Sequence, residues 1–195
     1  MSATATKRPY REALAIAQAV LHQLEGACDR SMITGSIRRL KSEVGDIELV
    51  AIPKITETTN DMFGVSIPGS GRNLLNERLT ELGVAVTKGV KEDAKFKQFV
   101  YEGMTVDLFL PTVETWGCVA TIRTGSADYI HWLVTERRKG GGCYSHLKFK
   151  EGRIWDGAKA LSTPEEIDVY QALEQPWIDP TERTDELAAS FWRNR

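Results

Sequence analysis

The stretch that decides the fold is residues 34–54, TGSIRRLKSEVGDIELVAIPK. In its second half Gly45 precedes Asp46 and Glu48, which alternate with apolar residues. Successive side chains of a β-strand point to opposite faces, so both carboxylates share one face while their apolar neighbours point into a core. Charged groups in this position are costly to bury unless they are paired or bind a metal ion. The pattern therefore predicts a strand that offers carboxylate ligands.

The first half of the stretch predicts a binding site for phosphate. Gly35 and Ser36 form a turn-like pair, and Arg38 and Arg39 follow within a few residues. Glycine lets the backbone come close to a ligand, and the peptide N–H groups at the start of a short helix favour an anion. Arginine adds a planar fork of donors that matches phosphate oxygens. A phosphate-binding turn beside a metal-binding strand suits a nucleoside triphosphate.

A third carboxylate, Asp107, lies in the apolar stretch VDLFL at residues 106–110. If the two strands are neighbours, three carboxylates come together. Magnesium prefers hard oxygen ligands and keeps part of its shell for water and substrate phosphates. Two such ions about 3.5–4 Å apart can clamp the attacking and leaving oxygens of a phosphoryl displacement. We therefore expect two Mg²⁺ ions as cofactors, for which Mn²⁺ could substitute.

These motifs resemble those of the DNA polymerase beta-like nucleotidyltransferases, the family X polymerases. That family has a Gly-Ser pair, a short helix with arginines, and then Gly-Asp-x-Asp on a strand, and the spacing from Gly35 to Asp46 looks the same. The sequence RTGS at residues 123–126 resembles the family's Thr-Gly-Ser turn, and residues 162–183 resemble its C-terminal segment. The resemblance covers about residues 32–183 and points to a minimal form like those of viruses or mobile elements.

The resemblance implies an α+β fold with two domains. Residues 1–126 would form a nucleotidyltransferase palm, a mixed β-sheet flanked by helices with an N-terminal helix. Residues 127–195 would form a small α/β thumb. The implied reaction is metal-dependent transfer of a nucleotide from a nucleoside triphosphate to the 3′-hydroxyl of a primer or gapped DNA, as in DNA repair synthesis.

The resemblance also assigns roles to individual residues. Asp46 and Glu48 would hold both metal ions, and Asp107 would bind the ion that activates the hydroxyl and take its proton. Ser36 and Arg39 would bind the β- and γ-phosphates. The whole expected nucleotide-binding set is Gly35, Ser36, Arg39, Gly45, Thr124, Gly125, Ser126 and Tyr129. Nucleic-acid contacts are expected from Lys95, Lys97, Arg137 and Arg138.

The sequence departs from the family pattern at several positions. Glu48 stands where the family usually has Asp, and Phe109 stands where many relatives have Arg. Ile130 and Val134 replace an Asn and an Arg that contact nucleotide and template in larger members. Because isoleucine cannot hydrogen-bond a base, we expect low fidelity. Too few residues precede Gly35 for the lyase module of repair enzymes, so we expect that module to be missing.

Composition sets broader limits. The 195 residues are 42% hydrophobic and 27% charged, which is ordinary for a soluble globular protein. The net charge is −2, so any basic surface must be local. No apolar run is long enough to span a membrane, and the N-terminus lacks the apolar core of a secretion signal. Three cysteines without metal-like spacing suggest reduced thiols and a cytoplasmic location, in the host cytoplasm if the protein is viral. We expect a monomer.

Periodicity predicts the remaining elements. A loop is expected at residues 56–72, a strand at 99–101, and a hairpin at 143–149 and 153–155. Helices are expected at residues 11–23, 73–82, 116–122 and 127–138, from 164, and at 186–192.

Other functions remain open at this stage. One is nucleotidyl transfer to RNA, a protein or a small molecule, and another is template-independent terminal transfer. The last is a catalytically inactive binding module, for which Glu48 is the only hint.

Overall fold

The computed structural model describes residues 7–56, 62–63 and 71–193. In its first part, the elements in chain order are β1 (Arg8–Pro9), α1 (Tyr10–Gln23), β2 (Cys28–Ile33), α2 (Gly35–Arg38), β3 (Glu43–Val44), β4 (Ile47–Pro53), α3 (Leu74–Glu81), β5 (Phe96–Tyr101) and β6 (Met104–Phe109). The later elements are α4 (Trp116–Thr124), α5 (Ala127–Val134), β7 (Leu147–Lys150), β8 (Arg153–Asp156), β9 (Lys159–Leu161), α6 (Glu166–Ala172) and α7 (Asp185–Arg193).

A four-stranded mixed sheet forms the centre of the first part, with strand order β2-β4-β6-β5. The β4–β6 pair is parallel, whereas β2 pairs with β4 and β5 pairs with β6 in antiparallel fashion. Ile47 and Leu49 of β4 and Val106 and Leu108 of β6 are fully buried against α1 and α3. The alternation seen in the sequence thus places the apolar face of both strands in one core and leaves the carboxylates on the other face.

The register of β5 on β6 is set by a two-residue turn. Glu102 and Gly103 both have positive φ, at 46° and 75°. A tight hairpin with positive φ at both central positions matches the natural twist of paired strands. Tyr101 therefore pairs with Met104, and the register brings Gln98 opposite Asp107.

The second part of the chain has its own core. A three-stranded antiparallel sheet, β7-β8-β9, packs with α5, α6 and α7. Its buried cluster includes Tyr129, Leu133, Ile154 and Val169, and it also draws Cys118 from α4. The proposed domain boundary after residue 126 stays a prediction, and α4 contributes to the packing on its far side.

The α+β class with a mixed sheet is confirmed, and most predicted helices are present. The predicted helix at residues 127–138 is too long, because α5 ends at Val134 and a 3₁₀ turn, Arg137–Lys139, follows. The strand at 99–101 begins earlier, at Phe96, and the strands β1, β2, β3 and β9 were not predicted. Most of the loop predicted at residues 56–72 lies outside the described residues. Within the described residues, no helix has both the length and the apolar character needed to cross a membrane.

Candidate active site

Parallel pairing of β4 with β6 brings the predicted carboxylates together. Glu48 is directly opposite Asp107 in the register, and Asp46 immediately precedes β4. Both strands therefore carry an acidic residue at the same level, as the sequence pattern predicts. The roles of these three residues as catalytic groups stay predictions.

Burial first, and then the proximity of like charges, shift the pKa values of this cluster. Burial and then the charge of Asp46 raise the pKa of Glu48 from 4.5 to about 7, against the opposing effects of Arg123 and Arg39. The pKa of Asp46 is also raised, first by burial and then by the charge of Asp107. Removing a carboxylate from water and placing it near another one disfavours its charged form. Keeping these carboxylates ionised therefore costs free energy, and a bound cation would offset that cost.

The donor set fits magnesium by its chemistry. Carboxylate oxygens are the ligands that this ion prefers, and Asp46, Glu48 and Asp107 supply them from two neighbouring strands. Among the described residues, no three or more His, Cys, Asp or Glu converge closely enough to form a ready metal site.

The Gly35 turn lies directly against this cluster. Gly35 has φ +63°, and a Cβ built on it would come 2.1 Å from Glu48 Oε2. The backbone N–H of Thr34 donates to the Glu48 carbonyl at 2.8 Å, and its hydroxyl donates to the same oxygen at 3.1 Å. Only glycine combines this backbone conformation with so close an approach. The half-buried Ser36 follows at the start of α2 and, among the described residues, its hydroxyl makes no hydrogen bond.

Arg39 connects the carboxylates to the predicted Thr-Gly-Ser turn. Its Nη1 donates to the carbonyls of Thr124 and Gly125 at 2.7 and 3.0 Å. Burial lowers its pKa, while the charges of Glu48 and other acidic groups counteract that effect. Its Nε is buried without a partner among the described residues. The two motifs are thus adjacent, and the guanidinium keeps donors that are not used.

Arg38 joins the site to the C-terminal segment through a buried ionic network. It donates to the Thr124 hydroxyl at 2.7 Å and to Glu166 Oε2 at 2.6 Å. Arg183 is fully buried and donates to the other oxygen, Glu166 Oε1, at 2.7 Å. One glutamate therefore bridges two arginines that lie far apart in the chain. The segment that resembles the family's C-terminus thus stabilises the position of α2.

A cavity of about 870 Å³ opens beside Asp107. Its lining includes Gln98, Phe109 and Arg123, whose guanidinium carbon lies 3.9 Å from the Phe109 ring centroid. The lining also carries four basic and four acidic residues, namely Lys88, Lys95, Arg123 and Arg153, and Glu92, Asp93, Asp107 and Glu151. This cavity can accommodate a polar, charged ligand next to the Asp107 carboxylate.

Two residues of this site, Gln98 and Arg123, were missed from the sequence. Gln98 Nε2 donates to Asp107 Oδ1 at 2.7 Å, and Arg123 lowers the pKa of Glu48. Counting across the Glu102-Gly103 hairpin could have placed Gln98 opposite Asp107. Arg123 adjoins the Thr-Gly-Ser motif in sequence, but its stacking on Phe109 required knowledge of how α4 packs on the sheet.

Two residues with predicted ligand contacts, Lys97 and Tyr129, are buried in this structure. Lys97, predicted to touch nucleic acid, is only 3% exposed, and its ammonium group donates to the carbonyls of Gly89 and Lys91 at 3.0 Å each. Tyr129, predicted to line the nucleotide, is fully buried, and its hydroxyl lies 3.0 Å from that of Tyr170. Both side chains are occupied in packing because their positions on the strand and helix point inward.

The remaining predicted residues have varied surroundings. Ser126 is nearly buried and caps α5 by accepting from the Tyr129 N–H at 3.3 Å, whereas a Cβ on Gly45 would meet open space. Lys95 lines the cavity. Arg137 donates to the Leu173 carbonyl and stacks on a tyrosine ring, and the exposed Arg138 pairs with a neighbouring glutamate. Arg138 is thus the more accessible of these two arginines.

Comparison with known proteins gave no match: no family model fits this chain, and no curated protein resembles it significantly in sequence.

Proposed function

We propose that this protein is a nucleotidyltransferase of the DNA polymerase beta-like kind, with a palm in its first part and a thumb in its second. It would transfer a nucleotide from a nucleoside triphosphate to a primer 3′-hydroxyl and release pyrophosphate. The observation that carries the proposal is the parallel pairing of Glu48 with Asp107, with the Gly35 turn packed against Glu48.

The three carboxylates would bind metal ions, and Asp107 would have a second role. Asp46, Glu48 and Asp107 would hold the magnesium ions. Bound magnesium would supply positive charge that favours loss of the hydroxyl proton and neutralises the phosphates. Asp107 faces the cavity, so it would accept the proton of an acceptor hydroxyl that enters there.

The triphosphate would lie on the other side of the cluster. The Ser36 hydroxyl has no partner among the described residues, and the Nη2 of Arg39 donates to none of them. These donors would meet the β- and γ-phosphates. The Thr124-Gly125 turn, which Arg39 holds beside the carboxylates, would border the sugar. The nucleotide and the acceptor would thus approach the carboxylates from opposite sides.

Low fidelity is part of the proposal. The Ile130 side chain packs against Gly125, as shown by the 2.5 Å separation between its Cδ1 and a Cβ built on that glycine. It offers no hydrogen bond to a base. One well-placed polar contact is worth about 1–3 kcal/mol of discrimination. Single-nucleotide insertion opposite each template base should therefore show frequent misinsertion.

Primer extension tests the function directly. A labelled primer, alone or on a gapped template, is incubated with each dNTP and with Mg²⁺ or Mn²⁺. The parent protein should add nucleotides, and Asp107→Asn should not. Asp156→Asn provides the matched control, since this exposed aspartate lies in the second sheet. Absence of any extended product with the parent would refute primer extension.

The same assay separates the alternatives that share this chemistry. RNA primers, a protein and a hydroxyl-bearing small molecule are offered as acceptors, with dNTPs and NTPs. Transfer without a template would indicate a terminal transferase, and transfer only to a non-nucleic acceptor would indicate a different branch of nucleotidyltransferases. Metal binding with no transfer to any acceptor would indicate a binding module.

A further inference from the structure

The amide of Gln98 is the direct neighbour of the Asp107 carboxylate. The two residues pair in the β5–β6 register, and Gln98 Nε2 donates to Asp107 Oδ1 at 2.7 Å. A carboxylate can only accept, so the amide nitrogen must face it. Gln98, Asp107 and Glu48 thus form a row across three neighbouring strands.

Gln98 is itself held by the segment that runs along the outer edge of β5. Its N–H donates to the Lys88 carbonyl at 3.0 Å, and its carbonyl accepts from the Thr87 N–H at 2.7 Å. The Thr87 hydroxyl donates to that carbonyl at 3.1 Å and lies 3.5 Å from the side-chain Oε1 of Gln98. The backbone of Gln98 is therefore fixed from outside, and its amide is oriented with oxygen towards Thr87 and nitrogen towards Asp107.

This hydrogen bond matters because the surroundings of Asp107 are acidic. Glu48 is directly opposite Asp107 in the β4–β6 register and Asp46 immediately precedes β4, so three carboxylates belong to one cluster. The Gln98 amide lies on the side of Asp107 away from Glu48, and its hydrogen bond restricts rotation of the carboxylate. The amide occupies Oδ1, so Oδ2 is the oxygen of Asp107 that would contact a metal ion or an acceptor hydroxyl.

We propose that Gln98 is a positioning residue, which fixes the Asp107 carboxylate so that its Oδ2 faces metal ion and acceptor. This role rests on the proposed nucleotidyl transfer. Gln98 acts through Asp107, and its loss should slow the chemical step rather than weaken nucleotide binding. Outer-shell partners of metal ligands typically contribute about 10–100-fold in metal affinity or activity.

The test replaces Gln98 by methionine, which is similar in length but cannot donate. In Gln98→Met, kcat for primer extension should fall about 10–100-fold with the KM for dNTP unchanged. Mn²⁺ affinity of the protein without substrate, measured by calorimetry, should fall by a similar factor. Gln98→Glu, which keeps the shape but adds a like charge, should lose more. Val100→Thr, on the same strand with a 54% exposed side chain, is the control and should match the parent.

Thermal melting shows whether each variant is folded, and Gln98→Glu serves if Gln98→Met does not fold. Parental kcat and parental Mn²⁺ affinity in both variants would overturn the positioning role. A rise in KM at constant kcat would overturn it as well, since that result indicates nucleotide contact. If the parent transfers no nucleotide, the proposed function fails on its own, and the Mn²⁺ titration still decides whether Gln98 positions Asp107. A parent that binds no Mn²⁺ would overturn the proposal together with the metal site.

Discussion

Replacing Glu48 by glutamine should stabilise the metal-free protein and, at the same time, abolish transfer. The folded protein raises the pKa of Glu48 from 4.5 to about 7, mainly by burial, so the folded state binds this proton more tightly than the unfolded chain does. The parent is therefore stabilised by this group at low pH and loses that stability as pH rises from about 4.5 through about 7. At about 1.4 kcal/mol per pH unit, the whole loss is about 3 kcal/mol, which is an upper limit because water and nearby cations screen the charge.

Glutamine carries no charge at any pH, so the stability of the variant does not fall with pH at this position. In metal-free buffer at pH 8, Glu48→Gln should be about 1–3 kcal/mol more stable than the parent, a rise of about 2–12 °C in Tm for a chain of this size. At pH 4.5 the advantage should shrink to less than about 1 kcal/mol. The assay is thermal melting at both pH values with and without Mg²⁺. The ion should raise the Tm of the parent but not that of the variant.

Glu43→Gln provides the matched control, because Glu43 is exposed at the edge of the small β1–β3 pair. Its melting should follow that of the parent at both pH values. A stability difference for Glu48→Gln that is the same at pH 4.5 and pH 8 would show that burial of the charge is not its cause. A Tm of Glu48→Gln that rises with Mg²⁺ as the parent's does would show that Glu48 is not a ligand.

Three further substitutions test other parts of the structure. Asp107→Asn should reduce single-turnover primer extension by several orders of magnitude while leaving the Tm near that of the parent; near-normal extension would remove Asp107 from the catalytic group. Gly35→Ala should lower both Tm and activity far more than Gly26→Ala, since both glycines have positive φ but a Cβ on Gly26 meets open space; equal effects would dismiss the close contact. Glu166→Gln should cost about 3–5 kcal/mol in urea unfolding because it leaves two arginines uncompensated, whereas Glu165→Gln, in an exposed pair, should cost about 1 kcal/mol or less; similar costs would contradict the buried network.

The two middle strands of the central sheet, β4 and β6, could be predicted because their alternation is strict. Ile47 and Leu49 on one face and Glu48 on the other leave a single register compatible with a buried core, since a one-residue shift would bury the carboxylate. The same logic places Asp107 on the exposed face of β6. Local pattern thus determined both strands and the acidic face that they share.

Other features depend on packing between distant segments, which local pattern does not encode. The burial of Lys97 follows from the segment at residues 88–95, whose carbonyls surround its ammonium group. Tyr129 looked accessible beside a Thr-Gly-Ser turn, but α6 covers it and supplies the Tyr170 hydroxyl. The early end of α5 at Val134 has a similar origin, because the following residues turn back and Cys143 N–H donates to the Thr135 carbonyl. A sequence shows which residues have the chemistry to bind a ligand. The tertiary contacts decide which of these side chains remain accessible to one.

The buried bridge between Arg38 and Glu166 also bears on how the protein is made. The glutamate is synthesised 128 residues after the arginine that it neutralises. At about 5–20 residues per second, a ribosome needs roughly 6–26 s to cover that distance. The strands β5 and β6 are completed within this interval, so the central sheet of the nascent chain can form before the Glu166 carboxylate that pairs with Arg38 exists. The growing chain would therefore acquire the strands of its central sheet first and its fully held α2 last, so that the proposed nucleotidyl transfer would begin only when the C-terminal segment leaves the ribosome.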